Sequence, residues 1–192
     1  MSIRRALKGR ERDHEANNRL NCHFYHHLFD GFIPIHHLLS RKPCSWEVYF
    51  SRHGGCTEAI VRELNNAKTT VLVQAYTFTS APIAKALLNA HKRGVKVEVI
   101  LDKSQRTDKY SPATFFYNAG IPVKIDAQHA IAHNKVMVID GETLITGSFN
   151  FTKAAEEKNA ENLLLIRDKK LAERYIENWQ EHERHSEVYT PQ

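Results

Sequence analysis

Hydrophobic positions along the chain fall into short runs separated by Gly, Pro and Asp, and their period changes from run to run. Trp46 to Phe50 alternates apolar and polar residues, the pattern of a half-buried strand. TTVLVQA (69–75), VKVEVIL (95–101), PVKI (122–125), VMVI (136–139), TLIT (143–146) and LLLI (163–166) are short and rich in β-branched residues, so each predicts a buried strand. Between them the period lengthens to that of helices. Thr57 is placed to cap one running to about Ala67, with Ile60, Val61 and Leu64 facing inward. Ser80 caps the next, Pro82 sits in its first turn, and Gly94 follows its end near Arg93. Pro112 opens a third that ends at Gly120, and 152–157 forms a short helical turn. Asp168 caps a long last helix through about Glu183, in which Leu171, Tyr175 and Trp179 recur every fourth residue. Two β–α–β units in succession predict parallel strands with helices on the faces. Asp140-Gly141, between two apolar runs, predicts a hairpin. The expected class is α/β: a mixed, largely parallel β-sheet flanked by helices on both faces.

The polar residues at the ends of that hairpin are the chemically informative ones. His133 and Lys135 lie two apart just before and at the start of the first strand, so an extended chain turns both side chains to one face. Ser148 and Asn150 repeat the spacing after the second. A base or nucleophile, a cation and two hydrogen-bond donors can thus converge. Such a set suits a phosphate, whose transfer needs positioning and positive or N–H/O–H groups around its oxygens. A histidine can itself attack phosphorus. Taken singly, each residue is an ordinary hairpin residue; the ordered set is what carries the signal.

His133-x-Lys135-x4-Asp140-x6-Gly147-Ser148-x-Asn150 resembles the HKD motif of the phospholipase D superfamily. The flanking AYTFTSAPIAKALLNAHKRGVKVEVILD and FTKAAEEKNAENLLLI are similar to the small Nuc-type bacterial endonucleases, which carry one such motif per chain. The mitochondrial cardiolipin hydrolase/Zucchini group is a more distant likeness. The resemblance implies a phospholipase D/nuclease fold over 46–192, and catalysis by His133, Lys135, Ser148, Asn150 and Glu161, with Asp140 the motif aspartate, a structural group beside the site. It implies that Glu161 hydrogen-bonds the catalytic histidine. It further implies a homodimer in which two copies of His133 face each other, and chemistry that needs no metal and no cofactor. Tyr76 and Phe78, at the end of their strand, become candidate walls of a substrate cleft. Lys103, Arg106 and Lys109 become candidate contacts to a nucleic-acid backbone. The leading expectation is a sequence-non-specific endonuclease acting on DNA, and on RNA as a further substrate. A cardiolipin-type lipid hydrolase and a catalytically silent nucleic-acid-binding dimer stay open beside it.

Charge refines this picture. The net charge is +5, but its distribution is uneven: 8 Lys/Arg against 4 Asp/Glu precede Trp46, and 19 against 18 follow. Residues 1–45 therefore read as a basic extension, suited to nucleic acid or to an anionic membrane surface. Six of the twelve histidines (His14, His23, His26, His27, His36, His37) fall there with Cys22 and Cys44, in no spacing that marks a zinc signature. Phe24, Leu28, Phe29, Phe32 and Ile33 could form an amphipathic helix that packs on the domain or meets a membrane. Three cysteines suggest no disulfide framework. The charged start Met-Ser-Ile-Arg-Arg does not read as a secretory signal, which sets a cytoplasmic expectation, with a periplasmic or secreted protein as the alternative if the true start differs.

Overall fold

In the computed structural model, residues 44–106 and 112–191 are described in full, together with the backbone pairing of Leu20 and Asn21. Nine strands form one sheet: β1 (Leu20–Asn21), β2 (Ser45–Phe50), β3 (Thr70–Ala75), β4 (Lys96–Asp102), β5 (Val123–Asp126), β6 (Lys135–Ile139), β7 (Thr143–Gly147), β8 (Asn162–Arg167) and β9 (Glu187–Val188). Among the described residues five α-helices accompany them: α1 (Cys56–Asn66), α2 (Ala81–Lys92), α3 (Pro112–Asn118), α4 (Lys153–Glu157) and α5 (Lys169–His185). The strand order is β1-β2-β8-β7-β6-β3-β4-β5-β9.

The mixed α/β class stands as expected, but the sheet is not largely parallel. Only β3–β4 and β4–β5 pair in parallel, through the two β–α–β crossovers. The other six pairings are antiparallel. The reason is non-local. The β6–β7 hairpin docks on the open side of β3, and β8 and then β2 extend it, choices that no local pattern records.

Helices do cover both faces. Strand alternation sends Val71, Val73, Val97, Val99, Met137, Ile139, Leu163 and Leu165 toward α1, α2 and α3, where Ile60, Leu64, Ile83, Leu87 and Phe116 meet them in one buried cluster. The intervening residues Val136, Val138 and Leu144 pack with Ala172 on the opposite face, under α5. Asp168 caps that helix through the N–H of Leu171 at 3.1 Å. Trp179, buried as its period predicts, donates from Nε1 to the Val73 carbonyl at 3.0 Å and ties the helix to the sheet.

Helix caps depart from expectation in two places. The residue before α1 is Gly55, at φ +81°, not Thr57. The Thr57 N–H is instead met by the Glu156 carboxylate at 2.8 Å, reached from α4. Ser80 does precede α2, without a bond from its side chain. No helix among the described residues is long and apolar enough to cross a membrane.

The candidate N-terminal metal ligands, except Cys44, and the candidate amphipathic helix lie outside the described residues, as does Lys109. Leu20 and Asn21, within the extension, pair with Trp46 and Ser45.

Candidate active site

The hairpin lies in the middle of the sheet, flanked by β8 and β3. The loop into it, 127–134, is held by buried carboxylates at the ends of β4 and β5. Asp102 Oδ2 accepts the Ala132 N–H at 2.7 Å, and Asp126 Oδ1 accepts that of Gln128 at 3.2 Å. The Tyr76 N–H, leaving β3, donates to the Asn134 carbonyl at 2.8 Å. His133 is thereby presented to solvent with its ring 4.7 Å from that of Tyr76, tilted by 57°.

Lys135 follows on the same face, but its side chain is 6% exposed. Its Nζ donates to the His133 carbonyl at 2.8 Å and lies 5.1 Å from the centre of the Tyr76 ring, a cation–π distance. Burial disfavours its charged form; the nearby Glu161 carboxylate works against that and only partly offsets it, so its pKa falls below the ordinary lysine range. Among the described residues no carboxylate lies within ion-pair distance of it. The ammonium therefore keeps donors in hand beside an exposed imidazole.

After β7 the chain turns tightly against β8. Gly147 adopts φ +142°, and a Cβ there would stand 2.3 Å from the Asn162 carbonyl oxygen. That same oxygen accepts the N–H groups of Ser148 and Phe149, each at 3.1 Å. The Ser148 hydroxyl donates to Glu161 Oε2 at 2.6 Å and accepts the Asn162 N–H at 3.0 Å. Glu161 Oε1 accepts from Asn159 Nδ2 at 3.0 Å, and the Glu161 N–H donates to Ser51 Oγ at 2.9 Å. Asn150 presents a buried Oδ1 with no hydrogen-bond partner among the described residues; the amide Nδ2, not this acceptor oxygen, is the atom able to donate to an anion.

His133, Lys135 and Tyr76 thus form one contact set, and Ser148 and Glu161 form another that acts on Lys135 electrostatically. Three expectations need correcting. Within one chain Glu161 does not hydrogen-bond His133: it precedes β8 beside Ser148, and its two oxygens are taken by Ser148 and Asn159. Asp140 is at the far end of β6, on the order of 20 Å of extended strand from His133. There it accepts from the N–H groups of Lys68, Thr69 and Thr70 and from the Thr69 hydroxyl, at 2.7–3.1 Å. Burial pushes its pKa up, but these donors outweigh that and hold it below the usual carboxylate range. Phe78 is fully buried, with its ring edge-on to Phe116 and Phe151, and is core rather than cleft wall. Lys103 is exposed directly after Asp102, whereas Arg106 is paired with Glu187 on the edge strand β9. Cys56, wholly buried with its thiol pushed up to about 12 by burial and then by Glu156 and Glu58, is no nucleophile.

Sequence reasoning missed Asp102, whose only signal was a carboxylate at a strand end, and Asn162, which holds the Gly147–Ser148 turn. It also missed a second cluster. Asp126, His129, His182 and His185 place one ligand atom each within 4.8 Å of one another. Its one legible sign was His182-x-x-His185 on a helix, a spacing that puts both rings on one side.

The family profile described as "Cardiolipin synthase, PLD-like domain" matches residues 60–182. The chain belongs to this phospholipase D-like family. It is a phosphodiesterase of that superfamily, and the span matched contains the whole hairpin. The phospholipase D of Rickettsia typhi is 47% identical over 141 residues, 73% of this chain and 68% of that protein. A mitochondrial cardiolipin hydrolase of Xenopus tropicalis is 32% identical over 133 residues, 67% of this chain and 63% of that protein. Among solved structures, the phospholipase D family member Nuc from Salmonella typhimurium superposes with a TM-score of 0.73 at 40% identity, covering 76% of this chain and 98% of Nuc. The family names do not divide nucleic-acid from lipid phosphodiesters.

Proposed function

We propose that this phospholipase D-like protein is a metal-independent endonuclease that cleaves DNA without sequence preference, working as a homodimer through a phosphohistidine. The observation that carries the reading is the exposed His133 with the buried ammonium of Lys135 bonded to its carbonyl and no carboxylate within ion-pair distance of that ammonium among the described residues. A cation kept out of water, and only partly offset by Glu161 from a distance, favours an anion arriving next to it, and a phosphodiester, whose single negative charge is shared by two non-bridging oxygens, answers that need. The 40% identity to Nuc over nearly all of that protein favours nucleic acid as the anion.

One motif per chain supplies one histidine, and the double displacement uses two, so a two-fold interface sets two copies of His133 across one cleft. One neutral imidazole attacks phosphorus, and an N–P bond forms as the P–O bond to the leaving group breaks. The partner subunit's His133, protonated, gives its proton to the departing oxygen. Now neutral, it takes a proton from water, whose oxygen attacks phosphorus and releases the first imidazole. Lys135 and the Asn150 amide hold the non-bridging oxygens. Ser148 is held by Glu161, which also tempers the charge of Lys135.

The test is cleavage of single- and double-stranded DNA in excess EDTA, wild type beside His133→Ala, with circular dichroism showing that both chains stay folded. Cleavage persists in the wild type and falls at least about a thousandfold in the variant. Cleavage abolished by EDTA in a folded wild-type chain, while His182→Gln still cleaves without EDTA, overturns the metal-independent mechanism. The cardiolipin hydrolase relatives favour a second reading, a lipid phosphodiester. Turnover of cardiolipin in vesicles with no cleavage of DNA or RNA selects it.

A further inference from the structure

The cluster at the far end of α5 is not part of the site above, and its chemistry is of another kind. Asp126 closes β5 with a carboxylate that is wholly buried. Three imidazoles converge on its oxygen Oδ2: His129 Nδ1 at 2.9 Å, His182 Nδ1 at 2.7 Å and His185 Nε2 at 3.4 Å. The rings lie 4.8–5.2 Å apart, centre to centre. One carboxylate oxygen cannot serve three donors well. The strain of that demand is visible in His185, whose buried Nε2 has no hydrogen-bond partner among the described residues. Buried polar atoms left without a partner are uncommon in folded chains.

We propose that Asp126, His129, His182 and His185 bind a zinc ion. Three imidazoles and one carboxylate are the nitrogen-rich, borderline-soft set that zinc takes, and too poor in oxygen for calcium or magnesium. The four ligand atoms already lie within 4.8 Å of one another, against about 3.4 Å between the donors of a tetrahedral zinc ion. Small side-chain rotations close the difference. With four protein ligands the coordination is filled, which makes the site structural and leaves no open position for substrate. An ion there replaces the crowded hydrogen bonds with four metal–ligand bonds and gives the His185 nitrogen a partner.

The elements joined explain its use. His182 and His185 sit in the last turn of α5, and His129 lies in the loop 127–134. That loop carries His133, four residues beyond His129. Zinc binding therefore pins the C-terminal turn of the helix to the segment that presents the exposed imidazole, a second tie beside the Asp102 anchor at Ala132. The metal acts on the position of the loop and takes no part in bond breaking. This inference stands whether the substrate is a nucleic acid or a lipid.

The experiment uses the full chain, stripped of metal and titrated with Zn²⁺ by calorimetry, with Co²⁺ absorption as a second reading of geometry. Wild type, His182→Gln and His185→Gln are compared, and circular dichroism of each metal-free chain establishes that it is folded. Wild type takes up one equivalent more than either variant, its Co²⁺ form shows the intense visible bands of four-coordinate cobalt, and zinc raises its melting temperature by about 5 °C. Both variants lose that equivalent and that rise. Metal held by histidines before Trp46 stays the same in all three chains and is separated by subtraction. Equal stoichiometry in the three, or no uptake by wild type, overturns the proposal. If one variant fails to fold, the other decides.

Discussion

The two ends of the β6–β7 hairpin are built from similar polar residues and put to opposite uses. At the turn, Asp140 and Gly141 both take positive φ, and the Asp140 carboxylate gathers four donors from the segment entering β3. Every demand there is met from within the chain. At the open end the demands are left standing: a buried ammonium bonded to one carbonyl, an amide oxygen with no partner, an imidazole in solvent. Unmet polar groups cost stability, and a chain tolerates them where a ligand will complete them. One hairpin thus holds a fully satisfied aspartate at its turn, with an exposed histidine just before its open end, and reading the motif as a single functional unit obscures the difference.

Substitutions at the two ends should separate activity from stability. After His133→Ala, the largest effect on rate is expected from Lys135→Met. Losing one preorganised donor to a developing charge costs about 100- to 1,000-fold in kcat, while the melting temperature holds or rises because a buried charge is gone; parallel kinetics and thermal melts check both. Gly147→Ala strikes the tight turn at the open end, where β7 passes into Ser148. Its methyl meets the Asn162 carbonyl oxygen at 2.3 Å in a backbone conformation that disfavours a side chain, so a loss of about 3 kcal/mol is expected in urea unfolding. Asp140→Asn is expected to cost about 2 kcal/mol at neutral pH and to leave kcat of the folded enzyme near that of wild type. The sign with pH follows from the depressed carboxyl. Its contribution is complete above the unfolded value near 4 and is lost as pH falls through the lower folded one. The gap in stability between wild type and Asp140→Asn should therefore close on acidification, and a gap that widens would contradict the assignment.

Local chemistry was legible where it was self-contained. Each apolar run became a strand within a residue or two. The Asp168 cap and the Trp179 face of α5 followed from spacing alone, because a helix sets its own period. The hairpin brought His133 and Lys135 to one place for the same reason. What stayed hidden were decisions made across the chain. The cap of α1 comes from Glu156, 99 residues from Thr57. The hairpin joined β3 in antiparallel register although two crossovers ahead of it were parallel. Phe78 was drawn inward by Phe116 and Phe151, partners that its local sequence does not name. The Asp126 cluster needed the end of α5 to reach the end of β5, 56 residues away. Asp140 was misplaced by the opposite error, since belonging to a motif was taken as nearness to its histidine.

Strand pairing also sets the order in which the enzyme can come into being. β2 pairs along its whole length with β8, with Ser45 opposite Arg167 and Phe50 opposite Asn162. A chain emerging from the ribosome must therefore carry β2 without that neighbour until more than a hundred further residues have been made. The Ser148 hydroxyl and the Gly147 turn lean on Glu161 and Asn162, at the start of that same late strand. Contacts of such long sequence separation form slowly, and here they are also the ones that finish the reactive end. The nascent chain holds His133 for some time before the contacts around Ser148 can form, so under the proposed reading activity waits on the completed sheet.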